Sequence, residues 1–154
     1  MKAAVFPGVC LALIVMLIPF PALASLGGNA ASIEADRAHI KGALEIRQSS
    51  AYTVHEIKST AGMVVREYVS SAGVVFGIAW QGQFVPDLQQ LLGPYFDQYS
   101  AGVKTQKATY VGRRPLNLQL QGLVIQRNGY MRAERGRAYV PNQVPPGVKL
   151  EEIW

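Results

Sequence analysis

Two histidines and a few carboxylates are the residues whose types could support hydrolytic chemistry. His55 is followed by Glu56, as in the zinc-protease helix motif, but no second histidine lies four residues on. Glu67 lies on the next predicted strand, where a carboxylate and a histidine could share acid–base work. Because Lys58 and Arg66 lie on the same two strands, we predict cross-strand ion pairs for the glutamates. A small envelope hydrolase using His55 with Glu56 or Glu67 is kept as the alternative hypothesis.

The other motifs of catalysis and metal binding are absent from the sequence. There is no Gly-x-Ser-x-Gly elbow, and Ser70-Ser71 lies in a predicted turn, where serine is common for structural reasons. The single cysteine, Cys10, falls in the apolar N-terminal run, so the rest of the chain has no thiolate for a zinc cluster. We therefore expect no metal and no cofactor, and we favour a non-enzymatic function.

Basic residues are concentrated in the C-terminal half. Between Gly102 and Val140 there are eight lysines and arginines, with Glu134 as the only acidic residue. A guanidinium group can bind carboxylate or phosphate through two parallel hydrogen bonds, so such a cluster suits an anionic partner. The alternative is a solvated basic face that keeps the protein soluble. The predicted anion-binding surface consists of six arginines: Arg113, Arg114, Arg127, Arg132, Arg135 and Arg137.

Residues 1–24 have the layout of a secretory signal peptide. Lys2 precedes an uncharged apolar run that ends in two prolines, and Ala22-Leu23-Ala24 then supplies small residues before a cleavage point. We predict cleavage between Ala24 and Ser25, and a periplasmic or secreted location. An uncleaved membrane anchor is the alternative, because residues 3–23 are nearly long enough to span a bilayer.

The rest of the chain divides into one domain and a tail. Residues 25–140 are numerous enough for a single globular domain that rests on its own hydrophobic core. Residues 141–154 contain three prolines and are predicted to form an extended tail.

Hydrophobic periodicity predicts one helix and three strands in the N-terminal half. The helix is expected over residues 30–44. Alternating apolar residues predict strands over 52–58, 63–69 and 74–80, separated by short gaps that contain glycine. These strands are expected to form an antiparallel meander.

The C-terminal half is predicted to contain a helix, a loop and a hairpin. Helical spacing over residues 86–99 is interrupted by a Gly-Pro pair, which predicts a kink or two short helices. A polar and basic loop is expected over 100–115, with a short strand at 109–111. A strand over 116–126, bent at its glycine, should pair with 130–139 across an Asn128-Gly129 turn.

These elements predict an α+β fold. We expect one antiparallel sheet of about five strands, with one or two helices packed on one face. Gly77 and Ala79 are small enough to let a helix approach the sheet closely. The opposite face must then be polar, or covered by another part of the molecule.

Several short motifs form a recognisable set. They are Val65-Arg66-Glu67-Tyr68-Val69-Ser70, Ala72-Gly73-Val74-Val75-Phe76, Ala79-Trp80, Pro86-Asp87-Leu88, Leu91-Leu92-Gly93, Tyr95-Phe96, Met131-Arg132-Ala133 and Gly136-Arg137-Ala138-Tyr139-Val140-Pro141. As a set they resemble domain-of-unknown-function family 2844, small exported proteins of Gram-negative bacteria. The resemblance extends from residue 24 to the tail. It implies export and a single domain, and it supplies no activity, cofactor or catalytic residue.

The leading expectation is an exported, non-enzymatic protein that binds a partner or assists assembly at the bacterial envelope. The expected partners are an envelope protein, an anionic lipid or an acidic polysaccharide. Export argues against nucleic acid as a partner, and the sequence signature of RNA-binding sheets is absent.

Overall fold

The computed structural model describes residues 26–109 and 115–154, and within them seven strands form a single antiparallel sheet. The strands are β1 (Gly42–Gln48), β2 (Tyr52–Ser59), β3 (Val64–Ser70), β4 (Val75–Gly82), β5 (Leu116–Leu120), β6 (Leu123–Tyr130) and β7 (Ala133–Tyr139). Their spatial order is β1-β2-β3-β4-β7-β6-β5. The first four strands therefore form one meander and the last three a second, joined where β4 pairs with β7.

Three helices cover one face of this sheet, which we call the helix face. They are α1 (Ile33–Ile40), α2 (Leu88–Leu92) and α3 (Phe96–Thr109). The main core lies between the helices and the sheet, where Ile78, Trp80 and Leu92 are among the fully buried side chains. Of the helices described, none is long and apolar enough to cross a membrane. The α+β class is confirmed, but the sheet has seven strands rather than about five.

The first additional strand is β1 (Gly42–Gln48), which begins within the last residues of the helix predicted over residues 30–44. Helix α1 ends at Ile40 because Lys41 adopts a left-handed conformation, with a φ of 53° and a ψ of 46°. Gly42 then begins the strand, and a side chain at this position would overlap Ile57 of β2. Close pairing with β2 thus ends the helix earlier than its apolar pattern indicates.

The second additional strand arises because the predicted strand over residues 116–126 is two strands, β5 and β6. Leu120 pairs with Leu123 across Gly122, whose φ is 76°. A tight hairpin turn needs this left-handed backbone, which glycine adopts without strain. The expected bend at Gly122 is therefore a complete chain reversal.

The hairpin between β6 and β7 turns later than predicted. Asn128-Gly129 lies inside β6, and the turn is made by Met131 and Arg132. The observed register places Ile125 opposite Ala138, so that apolar residues of both strands face the core together. Core packing therefore overrides the local preference of Asn-Gly for a turn, because the register decides which residues reach the core.

The predicted basic loop over residues 100–115 begins instead with helix, since α3 continues to Thr109. Gly102 lets this helix approach β5, where a side chain at that position would touch Leu118. The predicted interruption at the Gly-Pro pair is confirmed, because a 3-10 turn at Gly93–Tyr95 separates α2 from α3. Most of the short strand predicted at 109–111 lies outside the described residues.

The C-terminal residues 141–154 cross the opposite face of the sheet, which we call the tail face. Ile153 is fully buried there and packs directly on Gly77. Trp154 exchanges two hydrogen bonds with the Tyr68 hydroxyl, which donates to the main-chain oxygen of Trp154 and accepts from its N–H. The prediction that Gly77 and Ala79 receive a helix is wrong, because their face of the sheet receives the tail.

Replacing Gly136 with Ala should destabilise the protein, because an added methyl group would overlap the buried indole of Trp80. Overpacking of a dense core costs about 1–3 kcal/mol of unfolding free energy, which urea denaturation would measure. Gly77→Ala is the matched control, since a methyl group there would meet Ile153 at 3.4 Å, an ordinary contact distance. Equal losses in the two variants would contradict the expectation.

Candidate functional site

Of the six arginines predicted to bind anions, the four that the structure describes do not lie on one surface. Arg127 points to the helix face, where its Nε lies 2.5 Å from Glu134 Oε1 and its Nη1 donates to the Tyr99 hydroxyl at 3.1 Å. Arg132 lies in the β6–β7 turn, whereas Arg135 and Arg137 lie on the tail face beside Trp154. Arg113 and Arg114 lie outside the described residues. The anion-binding role of the set stays a prediction.

Arg135 and Arg137 both stack on Trp154, each with its guanidinium carbon 4.4 Å from the indole ring centroid. Arg137 also donates to Gln126 Oε1 at 2.8 Å and to the main-chain oxygen of Leu150. Arg137 therefore holds the tail in place. Within the described residues Arg135 has no carboxylate in ion-pair range, so its charge is free to meet an external anion.

A second group of basic residues on the tail face surrounds one buried carboxylate. Glu56, which is 3% exposed, lies 2.6 Å from Arg47 Nη2, 2.9 Å from Lys58 Nζ and 2.5 Å from Arg66 Nε. Burial opposes the charge of Glu56, but the hydrogen bonds from Lys58 and Arg66 outweigh it and lower the pKa of the carboxyl group. The predicted cross-strand ion pairing is thus confirmed for Glu56.

An open groove of about 510 Å³ connects these two basic groups. Arg47, Arg66 and Arg135 line it, and among the described residues Glu152 is its one lining side-chain carboxylate. Tyr52 donates to Glu152 at 2.8 Å and so holds that carboxylate against the wall. The remaining lining residues are the aliphatic Val54 and five polar or aromatic residues: Gln48, Ser49, Tyr68, Gln81 and Trp154. We call this feature the tail-face groove.

Sequence reasoning selected Arg135 but not Arg47 or Arg66 for this site. Arg47 and Arg66 lie on β1 and β3, one on either side of β2. The alternation of side chains along each strand could have identified them, because both residues lie on the face of their strands opposite the helices. Their proximity depends on the register of three strands, which charge counting along the chain does not reveal.

The residues of the hydrolase hypothesis lie on both faces of the sheet. His55 and Glu67 are paired across β2 and β3 on the helix face, whereas Glu56 lies on the tail face. Burial lowers the pKa of His55. Glu67 is 1% exposed and has no ion pair among the described residues, so the cross-strand ion pair predicted for it is wrong.

Glu67 forms instead a buried carboxyl pair with Asp36 of α1, which is also 1% exposed. No N–H or neutral hydroxyl of the described residues reaches either oxygen of Glu67, whereas Gln90 donates to Asp36 Oδ1 at 2.7 Å. Two carboxyl groups can hydrogen-bond each other only if one holds a proton. Burial, with the hydrogen bond and charge of Asp36, accordingly raises the pKa of Glu67 to about 9.

The histidines and acidic residues described by the structure form no group of three or more suited to a metal ion. His39 lies apart from the other sites, with its Nε2 3.3 Å from Asp87 Oδ2. The tail-face groove, by contrast, is open and is lined by three arginines and one glutamate.

Comparison with known proteins yields one match. A family model described as "Protein of unknown function (DUF2844)" matches residues 22–153. No curated protein and no solved structure matches the chain.

Proposed function

Because the chain belongs to the DUF2844 family of proteins of unknown function, we propose its function from the geometry of the tail-face groove. We infer an exported, non-enzymatic envelope protein that binds an anionic partner through carboxylate or phosphate groups seated in this groove. The observation that carries the proposal is the convergence of Arg47, Arg66 and Arg135 on one open groove with a single lining side-chain carboxylate.

The arginines keep hydrogen-bonding capacity for a ligand. A guanidinium group has five N–H donors. Arg47 directs one nitrogen to Glu56, and Arg66 directs one to Glu56 and one to the main-chain oxygen of Trp154. Arg135 has no carboxylate partner among the described residues. An incoming anion therefore finds unpaired donors in a site whose own carboxylates are already held by other groups.

Export is part of the proposal and is supported by the signal-like layout of residues 1–24. Outside the cytoplasm, carboxylate and phosphate groups are displayed by acidic polysaccharides, anionic lipids and acidic protein faces. An open groove lined by several arginines suits a polymer that repeats its charge. We therefore choose a soluble polyuronate such as alginate as the first probe.

Reversing one groove charge should weaken alginate binding by about tenfold, because hydrogen bonds to a charged group contribute about 1.5–3 kcal/mol. The variant is Arg135→Glu, measured by calorimetry or by elution from an alginate column. Arg132→Glu is the matched control, since it makes the same change of net charge at the β6–β7 turn, outside the groove lining. Added salt should weaken wild-type binding by screening.

Two results would count against the groove. One is wild-type protein that shows no salt-dependent binding to alginate. The other is an equal loss of binding in Arg135→Glu and Arg132→Glu, which would indicate a general effect of net charge. A pull-down from envelope extracts with the same two variants would extend the test to a protein partner.

The hydrolase hypothesis stays a prediction, and we do not propose it. Glu67 is 1% exposed, so its carboxyl group is out of reach of a substrate. Glu56 and His55 lie on opposite faces of the sheet.

A further inference from the structure

Two neighbouring loops project from the same end of the sheet. Strand β4 ends at Gly82, which pairs with Glu134 at the start of β7. The segment after Gly82 and the β6–β7 turn are therefore neighbours, because they follow and precede two adjacent strands at the same end of the sheet. Each carries large apolar side chains in solvent: Phe84 is 53% exposed, Val85 41% and Met131 77%. We call these residues, with Arg132, the sheet tip.

The core register fixes the place of the β6–β7 turn, but its two residues are poor turn formers. Met131 has a φ of 30° and Arg132 a φ of 65°, in a region that side chains other than glycine seldom adopt. Asn128-Gly129, which suits such a turn far better, lies unused within β6. The register explains where the turn falls but not why a methionine and an arginine occupy its strained positions, and these exposed side chains point to a contact that they make.

The charge of the sheet tip selects among partners. Residues 83–85 and 131–133 contain one charged residue, Arg132, and Asp87, two residues beyond Val85, lies 3.3 Å from His39. The adjacent Glu134 is 7% exposed and is paired with Arg127 on the helix face. A projecting apolar surface with one basic residue fits a lipid surface, where apolar side chains enter the acyl boundary and arginine stays at the headgroup phosphates.

We propose that the sheet tip inserts into the surface of a membrane rich in anionic phospholipid. Phe84, Val85 and Met131 enter the boundary between headgroups and acyl chains, and Arg132 binds a lipid phosphate. The contact is peripheral, and it does not depend on ligand binding in the tail-face groove. Anchored in this way, the protein would hold the groove close to the envelope surface.

The test is sedimentation of the wild-type protein with two kinds of vesicle, phosphatidylcholine alone and an equal mixture with phosphatidylglycerol. Wild type should bind the mixed vesicles more tightly. The double change Phe84→Ser with Met131→Ser should weaken binding about tenfold or more, given what the burial of one large apolar side chain contributes. Arg132→Gln should lose most of the preference for phosphatidylglycerol.

Ile46→Ser is the matched control, because Ile46 is 54% exposed but lies on the edge strand β1, away from the tip. It should bind like wild type. Arg135→Glu separates the two surfaces, since it removes charge from the groove and leaves the tip intact. Wild type that fails to bind mixed vesicles would overturn the proposal, as would a tip variant that binds like Ile46→Ser. Vesicle binding lost only in Arg135→Glu would assign the lipid to the groove instead.

Discussion

Replacing Glu67 with Gln should remove most of the loss of stability that this protein suffers as the pH rises. The pKa of Glu67 is about 9 in the folded protein, against a usual value of 4.5. The folded state therefore holds a proton that the unfolded chain releases above pH 4.5. The stabilisation that Glu67 contributes is fully present below pH 4.5, and it declines as the pH rises towards the pKa of Glu67 in the folded protein.

The expected size of the effect is large. Each unit of pKa difference corresponds to about 1.4 kcal/mol, so wild type should lose roughly 3 kcal/mol of unfolding free energy between about pH 4.5 and pH 7. Glutamine keeps the shape of the protonated side chain and still donates a hydrogen bond to Asp36. The decline caused by Glu67 should therefore be absent in the variant, and the lowered pKa of His55 should leave a stability that rises slightly with pH across this range.

Urea denaturation at several pH values from mildly acidic to mildly alkaline would measure this dependence. Glu45→Gln is the control, because the Glu45 side chain is 54% exposed and its pKa is lowered by Lys58 rather than raised. That variant should keep the pH dependence of wild type. Parallel pH profiles for wild type and Glu67→Gln would show that the buried pair does not hold the proton.

Replacing Ile153 with Ala should destabilise the whole fold, although the residue lies in the C-terminal tail. Its side chain is fully buried on the tail face with Tyr68, Phe76, Ala79 and Tyr139. Truncation of a buried isoleucine leaves a cavity and costs about 2–5 kcal/mol. Denaturation in urea would report the loss as a shift of the transition midpoint.

Leu150→Ala provides the comparison from the same tail. Leu150 is 36% exposed, so its truncation should cost less than about 1 kcal/mol. If both variants lost equally little unfolding free energy, the sheet would be stable without the docked tail. A large loss confined to Ile153→Ala would show that the tail completes a second core.

The sequence predicts the strands of the N-terminal meander well because local signals agree there. Each of β2, β3 and β4 alternates, and glycines lie in the gaps between them. Strand β1 is missed because residues 30–44 carry a weak helical pattern across the point where Lys41 reverses the backbone. The extension of helix α3 beyond Tyr99 is missed because its polar surface resembles a loop.

The candidate site is predictable only in part. Arg135 stands out by charge density along the chain, whereas Arg47 and Arg66 join it through strand register. Trp154 reaches the groove because the tail folds back over the sheet, and its hydrogen bond with Tyr68 links residues 86 positions apart. Local sequence patterns carry no information on such a return.

The return of the tail across the sheet affects how fast this molecule can fold. Contacts between residues so far apart in sequence raise the contact order, and closing a long loop costs entropy before the contact repays it. Until the tail docks, Phe76 and Tyr68 lie uncovered on an otherwise paired sheet. The long-range contacts of the tail should therefore slow folding, and Phe76 and Tyr68 stay exposed to solvent until those contacts form.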